Sequence, residues 1–185
     1  MDKLKSQQEK PKDKLRYDPK QFSILECCSK KKDITEWNEW RKAHPDENVL
    51  LEGAKLQCAY LKGALFNTGL NSGFSGEVYL EYAKLRGAHL ENADISDAHL
   101  KGVKLIGAYL EGVDLRYARM ESADFRRAIV NGSTLLWRCD VDRDTDFRGV
   151  GLDSARIEAG KKQLLEYNIR RKNWEDWYKE HKRLK

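Results

Sequence analysis

Every fifth residue from Leu80 to Leu135 is apolar: Leu80, Leu85, Leu90, Ile95, Leu100, Leu105, Leu110, Leu115, Met120, Phe125, Val130 and Leu135 follow without a gap. Two places before each stands a small or β-branched residue: Val78, Ala83, Ala88, Ala93, Ala98, Val103, Ala108, Val113, Ala118, Ala123, Ala128 and Ser133. A helix face repeats at about 3.6 residues and a strand face at about 2, so this period belongs to a larger repeating object. A chain that turns a corner at each repeat and closes a four-sided coil after about 20 residues satisfies it, with coils stacked at about 4.8 Å.

Both rows then face a narrow interior. Each buried Leu of the large row contributes on the order of 1.5–3 kcal/mol, and enlarging a residue of the small row costs roughly 1–3 kcal/mol through overpacking. Gly53, Gly63, Gly87, Gly102, Gly107, Gly112 and Gly132 recur three places before the next large residue, where a corner needs permissive backbone angles.

The units "NADIS", "GVDLR" and "SADFR" resemble the A-(D/N)-L-x-x repeat of the pentapeptide-repeat family. The resemblance covers residues 49–157 and implies an all-β solenoid: a right-handed quadrilateral β-helix of about five coils, with short helical caps at both ends. The same register runs through Val49/Leu51, Ala54/Leu56, Ala59/Leu61 and Ala64/Phe66, and later through Thr145/Phe147, Val150/Leu152 and Ala155/Ile157. Two breaks interrupt it. About four extra residues before Leu80 predict a loop near 67–78, and the stretch from Leu135 to Phe147 predicts an excursion near 136–146. Stacking at the coil period would make Glu81, Lys101 and Glu121 a solvated ladder of alternating charge.

The flanks read as caps for the exposed coil ends. Residues 1–18 form a charged segment expected to be disordered, and 19–48 a helical cap in which Asp33 and Glu36 make a capping box. Residues 158–185 form an amphipathic helical segment, broken by Asn173 acting as a second N-cap. The two flanks share a pattern, Trp37-Asn-Glu-Trp40-Arg-Lys-Ala-His44 against Trp174-Glu-Asp-Trp177-Tyr-Lys-Glu-His181. Trp37 and Trp40 read as cap packing. Arg170, Arg171, Trp174, Trp177 and Tyr178 are the candidate partner-binding residues.

Charge is distributed unevenly. Residues 49–157 carry 14 basic and 15 acidic side chains, whereas 158–185 carry 9 and 5. No apolar run is long enough for a membrane span, and the charged start lacks a secretory signal, so the expected compartment is the cytoplasm. Cys27, Cys28, Cys58 and Cys139 lack paired metal-type spacing and read as reduced thiols.

The sequence shows no catalytic constellation, so an enzyme is not expected and no cofactor is implied. Asp140, Asp142, Asp144 and Asp146 alternate like a calcium loop, but Thr145 stands where the sharp turn requires Gly and Gly151 where the bidentate Glu belongs. His89 and His99 lie half a coil apart, on opposite faces. The leading expectation is a non-catalytic scaffold that binds a protein partner. The resemblance also implies an alternative: some members imitate DNA and act on DNA gyrase, a role that needs a strongly acidic surface. A further alternative is binding of nucleic acid or a membrane surface by the basic tail.

Overall fold

The computed structural model describes residues 15–68 and 76–182. Helices α1 (Pro19–Lys31) and α2 (Thr35–Ala43) precede strand β1 (Val49–Leu50), and then come β2 (Val78–Tyr79), β3 (Leu135–Leu136), β4 (Arg156–Ile157) and helix α3 (Ala159–Lys182). The regular strands are two residues long; the rest of the repeat region is joined by isolated bridges, nearly all parallel. Brief pairing is what a corner in every repeat allows, because the chain turns away before a longer strand can form.

Those bridges define four columns. Leu50, Tyr79, His99, Arg119 and Asp140 pair in succession up one face, and Lys55, Lys84, Lys104, Asp124 and Asp146 up the next. Tyr60, His89, Tyr109 and Ile129 form the third, and Leu65, Asp94, Asp114, Leu135 and Arg156 the fourth. The chain therefore visits each face once per coil, and every wall segment bonds both neighbours: Lys104 N donates to Ala83 O of the coil before at 2.9 Å, while Leu105 N donates to Asp124 O of the coil after at 2.8 Å.

The corners are tight turns. Ala83 N donates to Leu80 O at 3.1 Å and Ala88 N to Leu85 O at 3.1 Å, closing each turn on the large residue that opens it. The third turn residue takes positive φ, as a type II turn requires. Gly87 and Gly102 do so without steric cost, but Tyr82 (φ 57°), Asn92 (60°), Asp97 (57°) and Tyr117 (60°) hold the same conformation. Single left-handed residues of this kind are tolerated where the surrounding pairing over-determines the backbone.

Inside, Leu80 to Phe125 at the large positions and Val78 to Ala128 at the small ones are buried. The five-residue register then changes. Leu135 is half-buried, Leu136 is 1 % exposed, Val130 and Val141 pack at the core's margin, and Phe147 is buried against Phe125 with ring centroids 4.4 Å apart. The inward row thus steps from Val130 to Leu136, Val141 and Phe147, followed by Leu152 and the half-buried Ile157. Instead of one excursion near 136–146, the chain inserts one residue into each of two units.

The same device absorbs each insertion. Asn131 Oδ1 accepts from Ser133 N (3.0 Å) and from Gly112 N of the coil before (3.1 Å), while Thr134 Oγ1 donates to Leu110 O (2.7 Å). In the second case Asp142 Oδ1 accepts from Asp144 N (3.0 Å) and Ser122 N (2.9 Å), while Thr145 Oγ1 donates to Met120 O (3.1 Å). Both threonines are fully buried in the small row, and their hydroxyls satisfy carbonyls that the longer unit cannot reach with its backbone. Gly132 lies in the first enlarged unit and does not adopt positive φ.

In the first coil β1 pairs with β2 as Val49 with Val78, so nine residues beyond the coil period separate Phe66 from Leu80, not about four. Most of the loop expected near 67–78 lies outside the described residues; its end is β2. Residues 1–14 of the expected disordered segment also lie outside, but the following residues are ordered. Tyr17 pairs antiparallel with Leu51, and Arg16 bonds Glu52 (2.5 Å) and Glu81 (2.9 Å) while lying 3.7 Å over the Tyr79 ring. Glu81 is therefore buried under this strap and is not part of a solvated ladder; burial raises its pKa.

Asp18 caps α1, accepting from Lys20 N at 2.7 Å with Pro19 in the first turn. At α2 the expected capping box is absent: Asp33 accepts from Thr35 N at 3.0 Å, and Glu36 pairs with Lys31. The cap helices present polar side chains to the open edge of the first coil. Gln21 bonds Asn48 O (2.8 Å) and Leu50 N (2.7 Å), Ser29 accepts from Tyr60 N (2.9 Å), and Asn38 bonds Gly63 O (3.0 Å) and Leu65 N (2.9 Å). Buried Arg41 donates to Phe66 O, His44 O and Glu47 O.

The register change is directly measurable by urea unfolding. Leu136→Ala is expected to cost about 2–5 kcal/mol, as for a fully buried Leu, and Leu135→Ala about 1 kcal/mol or less. The reverse ranking would restore an uninterrupted five-residue register.

Candidate functional site

The candidate partner-binding residues all lie on α3, a single helix without a break at Asn173, since nothing between Lys161 and Lys182 is Gly or Pro. Its first half is docked. Leu165 and Asn168 are fully buried and Ile169 packs on the core, a stripe at helical spacing. Asn168 Nδ2 donates to Asp142 O at 2.8 Å, which gives the last coil the kind of edge partner that Asn38 gives the first.

Arg171 belongs to this anchoring half. Its Nη2 donates to Arg143 O at 2.5 Å, its Nη1 bonds Glu175 at 2.6 Å, and Asp144 stands 3.7 Å away. One turn on, Asp176 pairs with Arg148, which is also held bidentately by Asp146 at 3.0 and 2.7 Å. The Asp146 and Asp176 carboxylates hold the Arg148 guanidinium well above its ordinary pKa, and Arg148 in turn lowers that of Asp176.

The acidic run is thereby used locally. For Asp142, burial would raise the pKa, but hydrogen bonds from Ser122 and Thr145 outweigh it and the pKa falls. Asp140 lies 3.7 Å from Lys161, and Asp144 faces Arg171. Burial pushes the Cys139 thiol up to about 11, and all four cysteines are free.

On both sides of Asp176 the helix also turns side chains away from the stack. Trp174, Trp177 and Tyr178 are 60 %, 53 % and 46 % exposed, and Arg170 is exposed beside them. Their only ring partners among the described residues are one turn away: Trp174 on Tyr178 at 5.4 Å and Trp177 on His181 at 4.3 Å. His181 Nδ1 donates to Trp177 O at 2.8 Å, as His44 Nδ1 does to Trp40 O at 2.8 Å. The two Trp-and-His patterns thus share local geometry and differ in surroundings. Trp37 is fully buried against Phe66 at 5.5 Å and donates to Leu65 O at 3.0 Å, whereas the C-terminal pair has no coil beneath it.

The family model described as pentapeptide repeats matches residues 76–106 and 93–132, with 8 copies. Residues 76–132 are pentapeptide repeats.

The matched repeats end at residue 132, in the first of the two enlarged units, so α3 and the aromatic site lie outside them. No curated protein matches the sequence. Three solved pentapeptide-repeat or related structures are similar to parts of it. One, from the Arabidopsis thaliana thylakoid lumen, is 22 % identical, with 62 % of this chain and 68 % of that one covered and a TM-score of 0.27. Rfr23 from the cyanobacterium Cyanothece 51142 is 21 % identical, with 66 % and 94 % covered and a TM-score of 0.24. QnrB1, a plasmid-mediated fluoroquinolone resistance protein, is 20 % identical, with 62 % and 55 % covered and a TM-score of 0.24. Superpositions at these scores carry no argument, and the description of the repeats rests on their own pairing.

Arg148 and Asn168, which hold α3, escape a reading by strict period. Counting 20 residues on from Arg126 reaches Asp146; Arg148 follows Arg126 in its column only because two units are enlarged. Arg148→Ala is expected to speed amide hydrogen exchange across residues 172–182 and leave Leu165 to Asn168 protected. Unchanged exchange in 172–182 would show that the Asp176 pair does not hold the helix.

Proposed function

We propose that this pentapeptide-repeat chain is a non-catalytic binding protein, in which a right-handed four-sided β-helix serves as a rigid scaffold and the projecting half of α3 docks a protein partner. One observation carries the reading: Trp174, Trp177 and Tyr178 are exposed together on a helix whose preceding turns are fixed to the stack. A pre-ordered aromatic surface binds at low entropic cost, and Trp and Tyr dominate binding hot spots. The matching Trp at the other end is consumed by packing on its own coil, which is why the partner site is assigned to the C-terminal copy alone.

The proposal includes a cytoplasmic setting, in keeping with four free thiols; among the described residues, no helix is long and apolar enough to cross a membrane. Charge layout weighs against mimicry of DNA toward gyrase. The acidic column Asp94–Asp114 continues into Leu135 and Arg156, and the column on the opposite face opens with Lys55, Lys84 and Lys104.

The test is affinity capture from cell lysate with the full chain and with a Trp174→Ala/Trp177→Ala variant, both checked for an unchanged unfolding midpoint. A specific partner held by the full chain and lost by the variant is the expected result. Equal capture by both would move the binding surface off α3.

A further inference from the structure

The face carrying Lys55, Lys84 and Lys104 holds a second feature. Next to that column runs another, Arg86, Ile106, Arg126 and Arg148, and beside it stands Arg127. Together with Gly149 and with Asn173 of α3 these residues line a recess of about 450 Å³. Its floor is low because Ile106 replaces a charged residue there and Gly107 has no side chain; no heavy atom lies within 4 Å of where its Cβ would stand. Gly149 serves Arg127 similarly, since a Cβ there would meet Arg127 Cγ at 3.3 Å.

The guanidiniums are unequally engaged. Arg148 is committed to Asp146 and Asp176, and Arg126 is fixed by Asp124 at 2.9 and 2.8 Å through Nε and Nη2, which leaves its Nη1 without a carboxylate. No ion pair engages Arg86 or Arg127 among the described residues, and both are exposed. Exposed Lys84 and Lys104 pair directly across adjacent coils on the same face, a like-charge contact, with Asp124 next to Lys104 in the column. Pocket volumes of about 300–1,000 Å³ are those of small-molecule sites.

We propose that this recess binds a phosphate monoester of nucleotide size. Arg86, Arg127 and Nη1 of Arg126 would hold the phosphate, with Lys84 and Lys104 adding to the field. Three guanidinium donors lining one recess suit a doubly charged group with three acceptor oxygens better than a carboxylate with two, and guanidinium forks match phosphate geometry. Ile106 offers the organic part an apolar floor. Trp177, one helical turn from the lining residue Asn173 on α3, serves as the fluorescent reporter. The site is independent of the aromatic docking surface, and the two proposals can fail separately.

Phosphate monoesters come from soluble nucleotides or from lipid headgroups. The test titrates the full chain with AMP, with inorganic phosphate, and with phosphatidylcholine vesicles with and without phosphatidic acid, following tryptophan fluorescence and heat. The comparison variants are Arg86→Ala/Arg127→Ala and, on another face, Lys101→Ala. Both alter exposed residues, and an unchanged unfolding midpoint verifies folding. Saturable binding of AMP, of phosphate or of the phosphatidic acid vesicles is expected, weakened at least ~10-fold by the double variant through loss of charge-assisted bonds and unaffected by Lys101→Ala. Whichever probe binds names the source. Absence of binding by all three, equal binding by the double variant, or equal weakening by Lys101→Ala would overturn the proposal.

Discussion

Backbone hydrogen bonding between successive coils is the constraint from which the rest of the structure follows. Each short wall both donates to and accepts from each neighbour: Lys104 exchanges bonds with Ala83 and Leu85 of the coil before, and Val103 and Leu105 exchange bonds with Asp124 of the coil after. Buried N–H and C=O groups must be paired, so coils can neither drift in register nor end bare. The alternating large and small interior rows keep the walls at a separation where that pairing holds. At the first coil the edge is closed by Gln21, Ser29, Asn38 and Arg41, and at the last by Asn168 and Arg171, side chains standing in for a further coil.

The same constraint explains what sequence could reveal. Leu80 to Phe125 are legible because an unbroken period ties each to the one before, and the cap helices because Pro19 and the flanking apolar residues mark them. The step at Leu136 was hidden because Leu135 and Leu136 are both acceptable apolar residues, and only the burial of Thr134 tells which faces inward. In retrospect the signal is Asn131-x-x-Thr134 repeated as Asp142-x-x-Thr145, an acceptor and a hydroxyl around an enlarged turn. Asn173 misled because it suits an N-cap, although it is only a weak helix former when no proline or glycine stops the chain. The strap formed by Arg16 and Tyr17 could not be read at all, since it depends on a pairing between distant segments.

The candidate sites depend on the two enlarged units as well. By advancing the register they bring Arg148 into the column of Arg126, where it ties Asp176 and so fixes how far α3 follows the stack before it projects. The aromatic surface and the arginine recess both border this anchor: Trp174, Trp177 and Tyr178 flank Asp176 along the helix, and Asn173 stands at the recess wall. Two otherwise minor insertions thus separate a repeat region that only stacks from an end that presents chemistry. Of the tryptophans in the two flanks, Trp37 is consumed in the core and Trp174 and Trp177 are left exposed.

Disulfide trapping across the coils tests the account most directly. In a Cys58→Ser background, Lys84→Cys with Lys104→Cys places two thiols on directly paired neighbours, whose spacing of about 4.8 Å lies within the Cα separation a disulfide accepts. Lys84→Cys with Asp94→Cys places them half a coil apart on opposite faces. The account predicts rapid oxidation of the first pair and none within a folded molecule of the second. Oxidation of the second pair, or failure of the first in a protein that remains folded, would contradict the coil register on which every site described depends.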